Sequence, residues 1–233
     1  MIKIVSLKIC PFVQRVIGTL EARRIPYEVS YISLEEKPQW FLDISPTGQV
    51  PVLITEAGTP LFESDAIVEY LDDEFGPIED RVSNEDKALD RAWSYQASKH
   101  YLVQCSAQRS GDKATLEERA AKLGKAFAKV EKVLGDGPFF KGKDLSKVDL
   151  AWLPLLHRAH IIEKHACFDF LQAYPKTKEW QRHLLQTGLA EKSVPEDFVD
   201  VFTRFYLSDR TYLGKGNECS GISDDQCATR DCC

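Results

Sequence analysis

Cys10 stands directly after an alternating apolar segment, MIKIVSLKI, and is followed by Pro11. Proline suits the first position of a helix, where its missing N–H would have had no partner anyway. Cys10 is then the helix cap, with its sulfur facing the unpaired N–H groups of Phe12 and Val13 and the positive end of the helix dipole. That setting favours thiolate over thiol and predicts a depressed pKa and a nucleophile. Arg15, about one turn in, is expected to add positive charge. A sequential dithiol motif would need cysteine at position 13, where the chain has Val13. The predicted chemistry is therefore that of a single thiol whose disulfide partner comes from elsewhere. Taken alone, a cysteine after a strand reads more simply as a small buried hydrophobe. The placement of Pro11 and two further features favour the chemical reading.

The first of these is Val50-Pro51. A proline cannot donate to a β-ladder, so it belongs at the first residue of a strand. With a cis bond, the Val50 backbone would turn outward and both its polar groups could pair with an extended peptide, a short form of strand addition. An ordinary trans proline in a loop is the commoner arrangement. The second feature is Glu63-Ser64. Ser64 reads as a helix N-cap whose hydroxyl and neighbouring N–H groups would accept a carboxylate, and Glu63 beside it could hold an ammonium. Together they suit the zwitterionic head of an amino acid; the plainer reading is a structural cap beside a solvated glutamate. Ser146-Lys147-Val148-Asp149 is a capping box with Asp149 in place of the usual Glu or Gln, and is read as structural. His157 and His160 are three apart and could share a helix face, but further ligands at matching spacing are not found, so no metal site is predicted.

The elements that must position these residues follow from hydrophobic spacing. Residues 1–8 alternate as a strand. From 11 to 24, Phe12, Val16, Ile17 and Leu20 recur with helical period, and Ile25-Pro26 stops the helix. Residues 27–32 alternate again, a short helix is expected at 38–42, and the segment 45–48 is turn-rich. Two short strands, 51–55 and 59–63, flank Ala57-Gly58 as a hairpin. Ser64 opens a helix with Ile67, Val68 and Leu71 as its apolar stripe, ended by Gly76-Pro77. This order predicts an α/β N-terminal thioredoxin-like domain over residues 1–76 and a linker over 77–83. An all-α C-terminal helical bundle domain follows over 84–213, with helices near 84–109, 115–134, 146–165, 175–187 and 195–207. The segment 214–233 is Gly, Ser, Asp and Cys with almost no apolar residue, and is expected to be a disordered tail.

Composition narrows the function classes. The 233 residues are 43% hydrophobic and 28% charged, enough apolar content for a buried core. The net charge of −6 argues against a nucleic-acid partner, which would need a basic face. No apolar run reaches membrane-spanning length, and the first residues lack the pattern of a signal peptide. The seven cysteines are odd in number, and four of them (Cys219, Cys227, Cys232 and Cys233) fall in the last stretch. That distribution is unlike a secreted disulfide scaffold, so a cytoplasmic protein with no membrane partner is expected.

Three segments, CPFVQR at 10–15, SPTGQVPVL at 45–53 and FESDAIVEYLD at 62–72, resemble cytosolic glutathione transferases. The likeness is to omega-like members, which carry a cysteine where others have Tyr or Ser. SKVDLAW at 146–152 is similar to the capping box of the family's helical domain, and the resemblance covers all but the tail. It implies that Cys10 forms a mixed disulfide with glutathione, the co-substrate, without a metal. It implies that Val50, ahead of a cis Pro51, pairs its backbone with the cysteinyl part. Glu63 and Ser64 would hold the γ-glutamyl head, Lys37 would approach the glycine carboxylate, and Phe12 would line the pocket mouth. A second, apolar pocket for a small electrophilic or disulfide acceptor would draw on residues near 95–105 and 202–206. The implied activities are thiol transfer and dehydroascorbate-type reduction with weak conjugation, in a homodimer. Two other readings remain. A non-catalytic binding or regulatory relative is disfavoured by the intact Cys10-Pro11. A membrane-inserting relative is disfavoured by Gln14, Arg15, Glu21, Arg23 and Arg24 in the first helix.

Overall fold

The computed structural model describes residues 1–79 and 83–216 of the chain. Its first part is β1 (Ile2–Ser6), α1 (Pro11–Ala22), β2 (Tyr27–Tyr31), α2 (Gln39–Ile44), β3 (Val52–Ile54), β4 (Pro60–Phe62) and α3 (Ser64–Phe75). The strands form one sheet in the order β2-β1-β3-β4, with β1 and β2 parallel and the other two pairs antiparallel. This is the thioredoxin-like arrangement expected from the alternation of strand and helix patterns. The second part is helical among the described residues: α4 (Asn84–Gln108), α5 (Lys113–Val133), α6 (Lys147–Ala166), α7 (Pro175–Gln186), α8 (Leu189–Lys192), α9 (Phe198–Tyr206) and a 3₁₀ turn, Leu213–Lys215.

Each part has its own core. Ile2, Ile4, Leu53, Ile67, Val68 and Leu71 pack with Val13, Val16, Ile17 and Leu20 between the sheet and its helices. Full burial of each such side chain contributes about 1.5–3 kcal/mol. The larger helical core is built around Phe127, Trp152 and Trp180. Helix α1 is buried on nearly every side because it lies between the sheet and α6. The packing is close at Gly18, where a Cβ would meet Leu153 Cδ2 at 3.4 Å and the Ser193 Cβ at 3.7 Å, both ordinary contact distances.

One boundary differs from the sequence expectation. The expected linker 77–83 includes 80–82, which lie outside the described residues, as does 217–233 of the expected tail. The described start of that tail packs. Leu213 is buried, Gly214 and Lys215 complete the 3₁₀ turn, and a Cβ on Gly214 would collide with the backbone of Leu207 and Ser208. Tyr212 N–H donates to Ser110 O at 2.7 Å, tying this turn to the end of α4.

Candidate active site

The sheet register gathers the predicted site residues at one edge. Val5 of β1 pairs with Val52 of β3, and Val52 with Phe62 of β4. β1 and β4 run toward this edge and β3 runs away from it. The residues after β1, before β3 and after β4 therefore come together: Cys10, Val50-Pro51 and Glu63-Ser64. The Val50-Pro51 bond is cis. The Cys10 thiol points at Val50 O from 4.0 Å, at the outer limit of a sulfur contact.

Cys10 is the N-cap of α1, with extended backbone (φ −81°, ψ 120°) and Pro11 at the first helical position. Its sulfur faces the Val13 and Phe12 N–H groups without closing a side-chain cap bond. The residue is only half-buried, but protein atoms surround the sulfur closely. Burial therefore has the largest effect and pushes the thiol above its ordinary value, outweighing the two N–H groups and the Arg158 guanidinium, which pull it down. This reverses the expectation of a depressed pKa: the helix terminus acts in the expected direction, and desolvation exceeds it.

The cation beside Cys10 also differs from expectation. Arg15 turns away and pairs with Asp65, in the first turn of α3. Asp65 also accepts from Ser98 Oγ at 3.3 Å, so α1, α3 and α4 are linked next to Glu63-Ser64. Ser64 is not the N-cap of α3. It is the first helical residue, almost fully buried, and Glu63 occupies the cap position without a side-chain cap bond. Glu63 has φ 67°, a left-handed conformation that costs a non-glycine residue about 1–3 kcal/mol and is found preferentially at functional sites. Lys37 Nζ donates to Gly48 O at 2.8 Å, which holds its charge two residues before Val50. Phe12 faces the helical domain, its ring edge-on to Tyr101 with centroids 5.0 Å apart.

Behind Cys10 lies a polar cluster that local sequence reading missed. Arg158 of α6 is fully buried. Its Nη1 donates to Gln14 Oε1, and to Pro154 O at 3.1 Å, while its Nη2 donates to Ile9 O at 3.3 Å, one residue before Cys10. Gln14 Nε2 donates to His157 Nδ1 at 2.9 Å and to Ser193 Oγ at 3.2 Å. His157 stacks on Phe198, and burial lowers its pKa to about 3, so the imidazole is neutral at physiological pH. On α4, Tyr101 donates to Ala151 O, Gln104 Nε2 donates to Leu155 O at 2.8 Å, and Cys105 lies beside Tyr206 of α9. One signal could have found Arg158. A helix apolar on every face is buried, so an arginine in the middle of LAWLPLLHRAHII must be buried and partnered. Among the described residues, no cluster of three or more His, Cys, Asp or Glu side chains could hold a metal ion.

A thiol at a helix N-terminus, beside a cis-proline edge on a four-stranded sheet and covered by a helical bundle, defines the glutathione-transferase architecture. Residues 9–74 match the family model of the glutathione S-transferase N-terminal domain, and residues 113–182 that of the C-terminal domain. The chain is 32% identical over 216 residues to a Rattus norvegicus protein named glutathione S-transferase omega-1, covering 89% of this chain and 85% of that one. It is 34% identical over 158 residues to Arabidopsis thaliana glutathione S-transferase DHAR2, covering 67% and 70%. The crystal structure of glutathione transferase Omega 3C from Trametes versicolor shares the fold, with a TM-score of 0.71, 24% identity and coverage of 82% and 88%. This chain belongs to the glutathione S-transferase family and is omega-like.

Proposed function

We propose that this protein is a glutathione-dependent thiol transferase and dehydroascorbate-type reductase that works through a mixed disulfide at Cys10. The observation that carries this reading is the Cys10 sulfur at the start of α1, pointing at the carbonyl of Val50 ahead of the cis Pro51. Cys10, as thiolate, attacks the glutathionyl sulfur of an acceptor disulfide. The acceptor leaves as its thiolate and takes up a proton, and the glutathionyl group stays on Cys10. A free glutathione thiolate then attacks that sulfur, releasing glutathione disulfide and restoring Cys10. Val50 aligns the cysteinyl backbone, Glu63 and Ser64 hold the γ-glutamyl head, and Lys37 approaches the glycyl carboxylate. Phe12 walls the side that meets the helical domain. The acceptor is a small electrophile or disulfide. The relatives' names, glutathione S-transferase omega-1 and glutathione S-transferase DHAR2, support a glutathione-dependent transferase. We further assign the protein to the cytoplasm, as a homodimer.

The test is Cys10→Ser. A serine hydroxyl is not ionised near neutral pH, so disulfide exchange should fall to background. Glutathione binding by calorimetry should persist, because Val50, Glu63 and Ser64 are untouched. Full thiol transfer by the variant would refute the assignment and favour a binding or regulatory role.

A further inference from the structure

We infer that Cys105 is the second thiol of this site, resolving the glutathionylated Cys10 by forming a Cys10–Cys105 disulfide. The inference rests on the thiol-transfer reading above. Valine at position 13 leaves no sequential partner for Cys10; the fold supplies one from α4.

Phe12 meets Tyr101 ring to ring, so the face of α4 that carries Tyr101 looks onto the start of α1. Cys105 is one turn further along that face. It is a free, half-buried thiol beside Tyr206. Asp65, the partner of Arg15, also accepts from Ser98, one turn before Tyr101, so α4 runs back along α1 from Arg15 past Phe12 toward Cys10, with Cys105 next on that face. Arg158 is the independent observation. It is fully buried, reaches the Ile9 carbonyl beside Cys10, has no carboxylate partner among the described residues and leaves its Nε unpaired. A buried guanidinium without an acidic partner needs a compensating anion, and the groups around it are two thiols and two phenols, Tyr101 and Tyr206. A thiolate on either cysteine meets that need, so the same cation can serve Cys10 when it attacks the acceptor disulfide and Cys105 when it attacks Cys10.

The step balances. Cys105 releases its proton to solvent and its thiolate attacks Cys10 Sγ. The bond between Cys10 and the glutathionyl sulfur breaks, and glutathione leaves as a thiolate that takes up a proton. Two further glutathione molecules reduce the internal disulfide in turn, giving both cysteine thiols and glutathione disulfide.

The test treats the reduced full-length chain with one equivalent of glutathione disulfide, quenches in acid over a time course, and maps tryptic peptides without reduction. Cys10 lies in peptide 9–15, ICPFVQR, and Cys105 in peptide 100–109, HYLVQCSAQR. In the wild type, the adduct on 9–15 should convert to a 9–15/100–109 disulfide with release of glutathione. In Cys105→Ser the adduct should persist until glutathione is added. Cys105→Ala should do the same, which guards against an effect of the serine hydroxyl on packing. A wild-type adduct as long-lived as that of Cys105→Ser would overturn the inference, as would linkage of 9–15 to a peptide from 217–233. No adduct on 9–15 in any of the three proteins would overturn the thiol-transfer reading itself, and this inference with it.

Discussion

At the scale of single residues, the site is governed by competition between desolvation and local dipoles. Helix N–H groups and Arg158 draw Cys10 toward thiolate, yet burial raises its pKa overall. The sign follows directly: an acid with a raised pKa carries less thiolate at neutral pH, and the fraction grows as pH rises. Iodoacetamide labelling of peptide 9–15 in the resting enzyme should therefore climb through neutral pH into the alkaline range. A plateau already reached by pH 6 would mean that the helix dipole wins. Even a small thiolate fraction suffices for exchange, because sulfur is intrinsically nucleophilic and the best attacking thiol has a pKa near the ambient pH. Glu63 and Ser64 pose a separate question. Charge-assisted hydrogen bonds to a ligand head are worth roughly 1.5–3 kcal/mol each. Glu63→Ala or Ser64→Ala should thus weaken glutathione binding about tenfold or more by calorimetry. Unchanged affinity in both would remove them from the site.

At the scale of elements, α6 is the support on which the site rests. Its start is fixed by the Ser146–Asp149 capping box, and Asp149 does more than cap. Its Oδ2 accepts from Ser146 N–H at 2.8 Å, while its Oδ1 accepts from Phe140 N–H at 2.8 Å and from Trp180 Nε1 at 2.6 Å. One carboxylate therefore joins the helix start, the loop before it and α7. From that anchored end α6 runs to Arg158, under Cys10. Asp149→Ala would take the acceptor from these three N–H donors and from the Ser146 hydroxyl, at about 1–3 kcal/mol for each N–H left unpaired. Thermal unfolding should fall by at least roughly 6 °C for a chain of this size. Asp149→Asn keeps one oxygen acceptor and should lose less. A loss within a degree of wild type in Asp149→Ala would show that the box is dispensable.

At the scale of the whole molecule, charged side chains clamp the two parts together. Lys147, at the start of α6, bridges Glu69 at 3.0 Å and Asp72 at 2.5 Å on α3, and Lys8 bridges Asp197 at 2.5 Å. Large apolar side chains remain exposed along β4, α3 and the start of α4: Phe62, Phe75 and Leu89. Two-fold pairing is the commonest closed assembly and would give these side chains cover. Light scattering should report roughly twice the 26.4 kDa chain mass, and a monomer across the micromolar range would exclude the dimer.

The sequence by itself determined the order of elements, the place of Cys10 at the head of α1, the α6 capping box and the apolar stripes of α1 and α3. These are local matters: period, proline geometry and cap chemistry act over one or two turns. Even there its reach was limited. Ser64 stands one residue inside the helix it was expected to cap, because the turn at Glu63 adopts a left-handed backbone that its residue type does not announce. Tertiary structure alone decided which cation serves Cys10. Arg15 had the nearer position in the chain, but Asp65 on α3 captures it, and Arg158 arrives from α6 instead. It also decided the sign of the Cys10 shift, since desolvation sums over every atom packed around the sulfur, whatever its place in the chain. The proposed pairing of Cys10 with Cys105 is of the same kind: no local pattern joins them, and only the packing of α1 on α4 through Phe12 and Tyr101 sets them on facing elements.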